Sequence, residues 1–267
     1  MLKKTLLTLG VLAVAGTASA EDITNPFYLA RKMQLGSITS VGLEESIVKN
    51  SGVRLIQSNR VIAREDLQFG LTDSLAIIGG IGNTWDKWKN PGETSEKDNE
   101  NIMWDAGMAW NILSGPAKWQ VSGIYGQNRL ENFDGEYKFV KAETKLGYQF
   151  QRLLPYVTGS VEIPVAQKKK GDKFTYNAKA GIYQGKCEVW ALDTGIRLMY
   201  DENTEARYVS AEAEASYYLT PKTTIGVYGS YMLDGRMKTR KIDPDGDWLG
   251  NTHVYDRAAG LRLRMFF

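Results

Sequence analysis

The sequence predicts an all-β protein, an antiparallel transmembrane up-and-down β-barrel of about twelve strands occupying residues 36–267. Three observations lead there. The C-terminal residues alternate: Leu261, Leu263, Met265 and Phe267 share one face of a strand and Arg262 and Arg264 the other, because successive strand side chains point in opposite directions. At the other end, Lys3 and Lys4 precede an apolar run over 6–15 and the small-residue pattern Ala18-Ser19-Ala20, the form of a cleaved export signal over residues 1–20. Beyond Ala20 no apolar run approaches the roughly 20 residues that a spanning helix needs. An exported chain of this kind either stays in solution or crosses lipid as strands, which also satisfy every backbone polar group there.

Taken in order, the segment 21–35 opens the expected mature chain. Its Asn25-Pro26 followed by Phe27 to Met33 is weakly amphipathic and reads either as a short helix or arm at the periplasmic mouth, or as a plain lead-in. Amphipathic strands follow at 37–49, 60–71, 74–86, 101–113, 118–129, 137–150, 154–166, 174–185, 188–201, 206–219, 222–235 and 256–267. Alternate connections are short: Leu71-Thr72-Asp73, Ser114-Gly115-Pro116, Gln151-Arg152-Leu153, Gly185-Lys186 and Thr220-Pro221-Lys222. The remaining ones, 50–59, 87–100, 130–136, 167–173, 202–205 and 236–255, are longer and polar. That asymmetry is expected of short periplasmic turns and longer outer loops. The first hairpin has a second reading, in which Asn50-Ser51-Gly52 closes it tightly and lengthens the second strand upward.

Parity assigns faces. In the strand 206–219, Val209, Ala211, Ala213, Ala215, Tyr217 and Leu219 face lipid and Glu212 and Glu214 the lumen. In 101–113 the lipid face is Ile102, Trp104, Ala106, Met108, Trp110 and Ile112, and in 222–235 it is Ile225, Val227, Gly229, Tyr231 and Leu233. One position resists. In 60–71 the apolar parity of Val61, Ala63, Leu67 and Phe69 puts Glu65 in lipid, where a charge is costly, so a bulge or a strand end is expected there. The same parity lines the lumen with both signs of charge: Arg64, Asp66, Asp105, Lys141, Glu143, Lys145, Glu162, Lys179, Asp193, Arg197, Glu212, Glu214, Arg262 and Arg264. Either these pair across strands and fill the interior, since an unpaired buried charge is unfavourable, or they line a wet channel. A twelve-stranded barrel lies between the roughly 8-stranded kind that side chains fill and the roughly 16-stranded kind that holds open water. Lumen glycines at Gly70, Gly80, Gly82, Gly107, Gly126, Gly147, Gly181, Gly195, Gly226 and Gly260 suggest carved space and a channel.

Composition narrows the function. Without Lys3 and Lys4 the 33 basic residues become 31, equal to the 31 acidic ones, so no nucleic-acid surface is indicated. The single cysteine, Cys187, forms no intrachain disulfide and no cysteine-based metal cluster. Only His253 offers a general base; it lies near the last outer loop with Asp247 and Asp256, and loop or rim polarity explains it better than catalysis. The run Asp243-Pro244-Asp245-Gly246-Asp247 hints at calcium but fails as an EF-hand loop, with Trp248 at the glycine position and Val254 at the closing glutamate, so no metal or other cofactor is expected. Lys168-Lys169-Lys170 and Lys173 form a basic outer loop suited to lipopolysaccharide phosphates, or simply a solvated tip.

Through the alternating strand ending in Phe267, and through Gly70-Leu71-Thr72-Asp73, which looks like a common periplasmic turn, the chain resembles the outer-membrane β-barrel superfamily of Gram-negative bacteria. Asn25-Pro26-Phe27-Tyr28 resembles the opening of other members of that group. The resemblance implies export to the outer membrane, contact with its lipids and lipopolysaccharide, and recognition of Leu261, Leu263, Met265 and Phe267 by the barrel-assembly machinery. Twelve-stranded members include hydrolases, autotransporter pores and solute channels, so fold alone leaves function open. The expected function is a narrow channel for small polar solutes and not an enzyme; a non-conducting structural or adhesive barrel is the alternative, and a hydrolase built on His253 a distant one. Oligomeric state is not legible.

Overall fold

Twelve antiparallel strands, each paired with its neighbours in sequence and the first with the last, close into a barrel in the computed structural model. It describes residues 22–50, 53–89, 97–130, 135–165, 173–186, 189–202, 205–238 and 251–267. The strands are β1 (Leu35–Asn50), β2 (Val53–Gly70), β3 (Leu75–Lys89), β4 (Lys97–Ser114), β5 (Ala117–Leu130), β6 (Gly135–Tyr148), β7 (Leu153–Pro164), β8 (Thr175–Lys186), β9 (Trp190–Asp201), β10 (Ala206–Thr220), β11 (Thr223–Lys238) and β12 (Asn251–Phe266). The order is that of a simple meander, so no crossover connection interrupts it. The closing seam runs in unbroken register from Gly36 opposite Phe266 to Asn50 opposite Thr252.

The period-two alternation places large apolar side chains outside. Leu43, Ile81, Trp110, Tyr217, Val227, Tyr231 and Leu261 are all exposed, as a lipid-facing belt requires. At one end the connections are tight. Gln151, with φ of 51°, and Arg152 span the two-residue link in which Phe150 and Leu153 exchange backbone hydrogen bonds of 2.7 and 2.8 Å. Between β2 and β3 the Thr72 hydroxyl accepts from the amides of Ser74 and Leu75 at 3.2 and 3.0 Å, a side-chain turn of the kind Thr favours.

Three expectations are corrected. The first outer connection is not 50–59: β2 already begins at Val53, which pairs with Asn50, so the tight alternative holds. Polar residues on both faces of 54–59 hide this strand from a periodicity argument. The strand β12 begins at Asn251 instead of 256, so His253 lies within a strand and not in a loop. At Glu65 there is neither bulge nor strand end, because the pairing of β1 with β2 is regular from Leu35 to Val48. The carboxylate keeps its outward parity and accepts hydrogen bonds from the Ser37 and Thr39 hydroxyls of the adjoining strand. The export signal, Cys187, Lys168–Lys170 and the acidic run 243–247 lie outside the described residues.

Candidate functional site: the lumen and its closed mouth

The segment Asp22–Gln34 enters the barrel at the end carrying the tight turns. It forms turns and no helix, since Pro26 removes an amide donor early and the apolar residues lack helical spacing. Ile23, Phe27, Leu29 and Ala30 are buried against different parts of the wall. Phe27 packs with Leu154, Tyr156, Tyr183 and Ala191; Ile23 and Ala30 pack with Tyr218 and Phe266; Leu29 packs with Ala76 and Ala109. One short segment reaches all these strands only from inside the ring, and this identifies the inner parity. The hydrophobic core of the molecule is therefore this stopper.

Polar contacts fix it. The Phe27 carbonyl accepts from Asn111 Nδ2 and Gln120 Nε2, both at 3.2 Å, and the Pro26 carbonyl from Lys145 Nζ at 3.3 Å. Thr24 Oγ1 lies 2.6 and 3.1 Å from the hydroxyls of Tyr183 and Tyr218, and both tyrosines donate to Asp22. Met33 N donates to the Gly70 carbonyl at 2.8 Å while Gly70 N returns a bond to Gln34 at 3.1 Å. Here glycine is required: a Cβ on Gly70 would sit 1.8 Å from the Arg31 carbonyl oxygen. Tyr28 meets the Phe266 ring edge-on at 4.8 Å and donates to Gln34 at 2.8 Å; burial pushes its phenol up to about 12, so it remains a donor at neutral pH.

Beyond the stopper the inner wall carries ionic clusters. Arg64 bridges Asp66 and Asp105 at 2.7 and 2.6 Å. Glu143 sits between Lys141 and Lys145 at 3.3 and 3.5 Å. Lys179 pairs with Asp193 and Glu212 at 3.6 and 3.3 Å, and Arg197 with Glu212 at 2.9 Å. Tyr156 donates to Asp193 at 2.7 Å. Glu214 holds both Arg262 and Arg264, and Arg262 lies 4.8 Å over the Tyr228 ring. Glu162 takes a hydrogen bond from Tyr137 at 2.9 Å. These side chains are half-buried: those in the ion pairs keep between 11 and 49% of their exposure, Arg264 least and Arg197 most. Such values fit charges that meet one another and water, not a dry filling.

Sequence reasoning missed several participants. The stopper's path was invisible, as were its anchors Tyr183, Tyr218 and Phe266. A further cluster, Arg60 with Glu44 at 3.1 Å and Asp86 at 2.8 Å, was not singled out although its members share the inner parity. At four of the ten lumen glycines a ring from an adjoining strand or the stopper occupies the notch instead of open space: Phe139 over Gly126, Phe27 over Gly147, Tyr156 over Gly181 and Tyr228 over Gly260. Arg64 lies against Gly80, Met103 against Gly82, Lys179 against Gly195 and Ser216 against Gly226. His253 is exposed on the outer parity, paired in register with Lys49 and Arg236, while Asp256 has the opposite parity.

No protein-family model matches the sequence, and no curated protein is similar to it by sequence. Solved structures are similar in shape. An outer-membrane channel from Pseudomonas putida F1 superposes with a TM-score of 0.67 at 9% identity, over 91% of this chain and 98% of that one. The chain has the fold of an outer-membrane β-barrel. The translocator domain of the autotransporter NalP from Neisseria meningitidis (TM-score 0.51, 11% identity, 85% of this chain and 87% of that one) is also similar. So is a mutant of the TodX monoaromatic hydrocarbon channel (TM-score 0.50, 8% identity, 90 and 92%). At these identities the likeness is one of fold.

Proposed function

We propose that this chain is an outer-membrane channel for small polar solutes, held shut at its periplasmic mouth by residues 22–34. The observation that carries the reading is the combination of a segment packed across the mouth with a charged, half-exposed wall beyond it. A lumen built only for stability is better filled with apolar side chains, because paired buried charges contribute little. A lumen for hydrocarbons is better lined with apolar ones, so the ionic wall points away from the solute named for TodX and toward polar molecules. In this reading the tight turns and the stopper lie at the periplasmic end, as short turns do in such barrels, and Leu261, Leu263, Met265 and the terminal Phe267 act as the assembly signal. His253, flanked by cations and without a carboxylate on its face among its register partners, supports transport over hydrolysis.

The ion pairs and ring-filled glycine notches favour a second reading, a permanently closed structural barrel. Liposome swelling separates the two. Vesicles carrying protein with residues 22–34 deleted should swell in isosmotic small sugars and amino acids, with a sharp upper size limit. If a folded, heat-modifiable sample admits none of them, the structural barrel stands.

A further inference from the structure

At the end away from the stopper, β10, β11, β12, β1 and β2 place four cations and a histidine directly beside one another on the outer face. Arg207 is opposite Arg236, Arg236 opposite His253, His253 opposite Lys49, and Lys49 opposite Arg54. Residues paired this way share a face, and strands lie about 4.8 Å apart, so the row covers about 19 Å. Arg207, Arg236, His253 and Arg54 are exposed and Lys49 half-buried. Tyrosines border the row: Arg207 lies 5.7 Å over the Tyr200 ring and Lys49 5.0 Å over that of Tyr255, with exposed Tyr176 stacked on Tyr200 at 6.4 Å. The only carboxylate paired with the row among the described residues is Asp234, 3.3 Å from Arg236 and half exposed. Elsewhere at this height the outer face mixes signs, with Lys87 of β3 opposite Asp98 of β4.

The height is decisive. From Phe266 to His253 the strand climbs about 33 Å, taking ~3.3 Å per residue and a tilt of about 40°, which clears an apolar band about 25 Å tall. The cations therefore stand at the headgroups of the leaflet opposite the stopper, with aromatic rings at the acyl boundary.

We propose that this row is a binding site for the phosphorylated sugar headgroup of lipid A, the anionic glycolipid of the outer leaflet. The assignment rests on the outer-membrane placement above but not on conduction. Clustered cations on one side of the barrel match the two phosphates on one rigid headgroup, and the tyrosines offer an amphipathic surface to its sugars and upper acyl carbons.

The test uses the full mature protein in zwitterionic nanodiscs, titrated with bisphosphorylated lipid A and with the same lipid stripped of both phosphates, binding being read by tryptophan fluorescence and native mass spectrometry. The phosphorylated lipid should bind about tenfold tighter or more. A K49Q/R54Q/R207Q/R236Q variant should lose that preference, while K87Q/K89Q/R129Q/K138Q, which removes as many outward cations elsewhere, should keep it within about twofold. Equal binding of the two lipids by wild type overturns the site without any variant. So does a row variant that retains the preference, or one whose only change is its oligomeric size, which would make the row a contact between copies. Neither result bears on swelling or conductance, so the channel reading stands or falls separately.

Discussion

Phe27→Ala isolates the stopper from the barrel. Phe27 keeps 5% of its exposure, its ring meets Tyr156 edge-on at 6.3 Å, and it covers the notch at Gly147, where a Cβ would come within 2.9 Å of it. Truncating a buried phenylalanine costs about 3–5 kcal/mol. At the lower figure, the ratio of released to docked stopper rises about 100-fold, since ~1.4 kcal/mol is a factor of ten. The strand ladder remains intact, so the urea midpoint of the barrel should move little. Trypsin reads the ratio: Arg31 and Lys32 are exposed on the stopper, but cleavage needs this stretch free of the wall, and when opening is fast its rate follows the open population. The variant should be cut at Arg31 about 100-fold faster than wild type, with the rest of the chain resistant. Cleavage at the wild-type rate in a correctly folded variant would refute the view that Phe27 holds the mouth shut.

Glu214→Gln should lower stability by about 3 kcal/mol, read as a lower urea midpoint, because it leaves Arg262 and Arg264 without their shared carboxylate, itself only 13% exposed; an unchanged midpoint would show that water already screens this cluster. Glu65→Gln should raise the midpoint, since it keeps an acceptor for Ser37 and Thr39 while removing a charge about 13 Å above the turn end, near the middle of the apolar band; a fall would mean the carboxylate is stabilising there. Deleting Phe267 should slow insertion without blocking export, and wild-type amounts of heat-modifiable protein would contradict the assembly role of the last strand. In a Cys187→Ser background, a cysteine at Lys169 should react with an impermeant maleimide on intact cells and one at Lys222 should not, the reverse pattern inverting the orientation.

The strands were legible wherever the outer face carries the exposed apolar belt, because there the alternation is strict. Beyond that belt it fails: in β2 a register shift against Val48 and Lys49 breaks the alternation at Arg54–Ile56, and polar Gln57, Ser58 and Asn59 fall on both faces, so the sequence reads as a loop although the backbone pairs without a break from Gln57 to Gly70 with β3. Parity also identified the faces of Glu214 and Arg262, but not their pairing. That contact spans β10 to β12 across β11 and depends on the stagger between strands, a property of closure that no local pattern encodes. Four glycines misled for a related reason, since the ring that fills the notch comes from another strand at Gly126, Gly181 and Gly260 and from the stopper at Gly147. The stopper itself has no period to read. Its residues are spaced to meet Tyr218, Leu154 and Ala76, positions far apart in sequence that only the closed ring brings together.

Single-channel recording in planar bilayers, comparing refolded protein with and without residues 22–34, bears most directly on the claim that a polar conduit lies behind a closed mouth. The full chain should be silent or open only in rare brief events, and the deleted form should carry a steady small current. Silence from both, or identical steady currents from both, would contradict it.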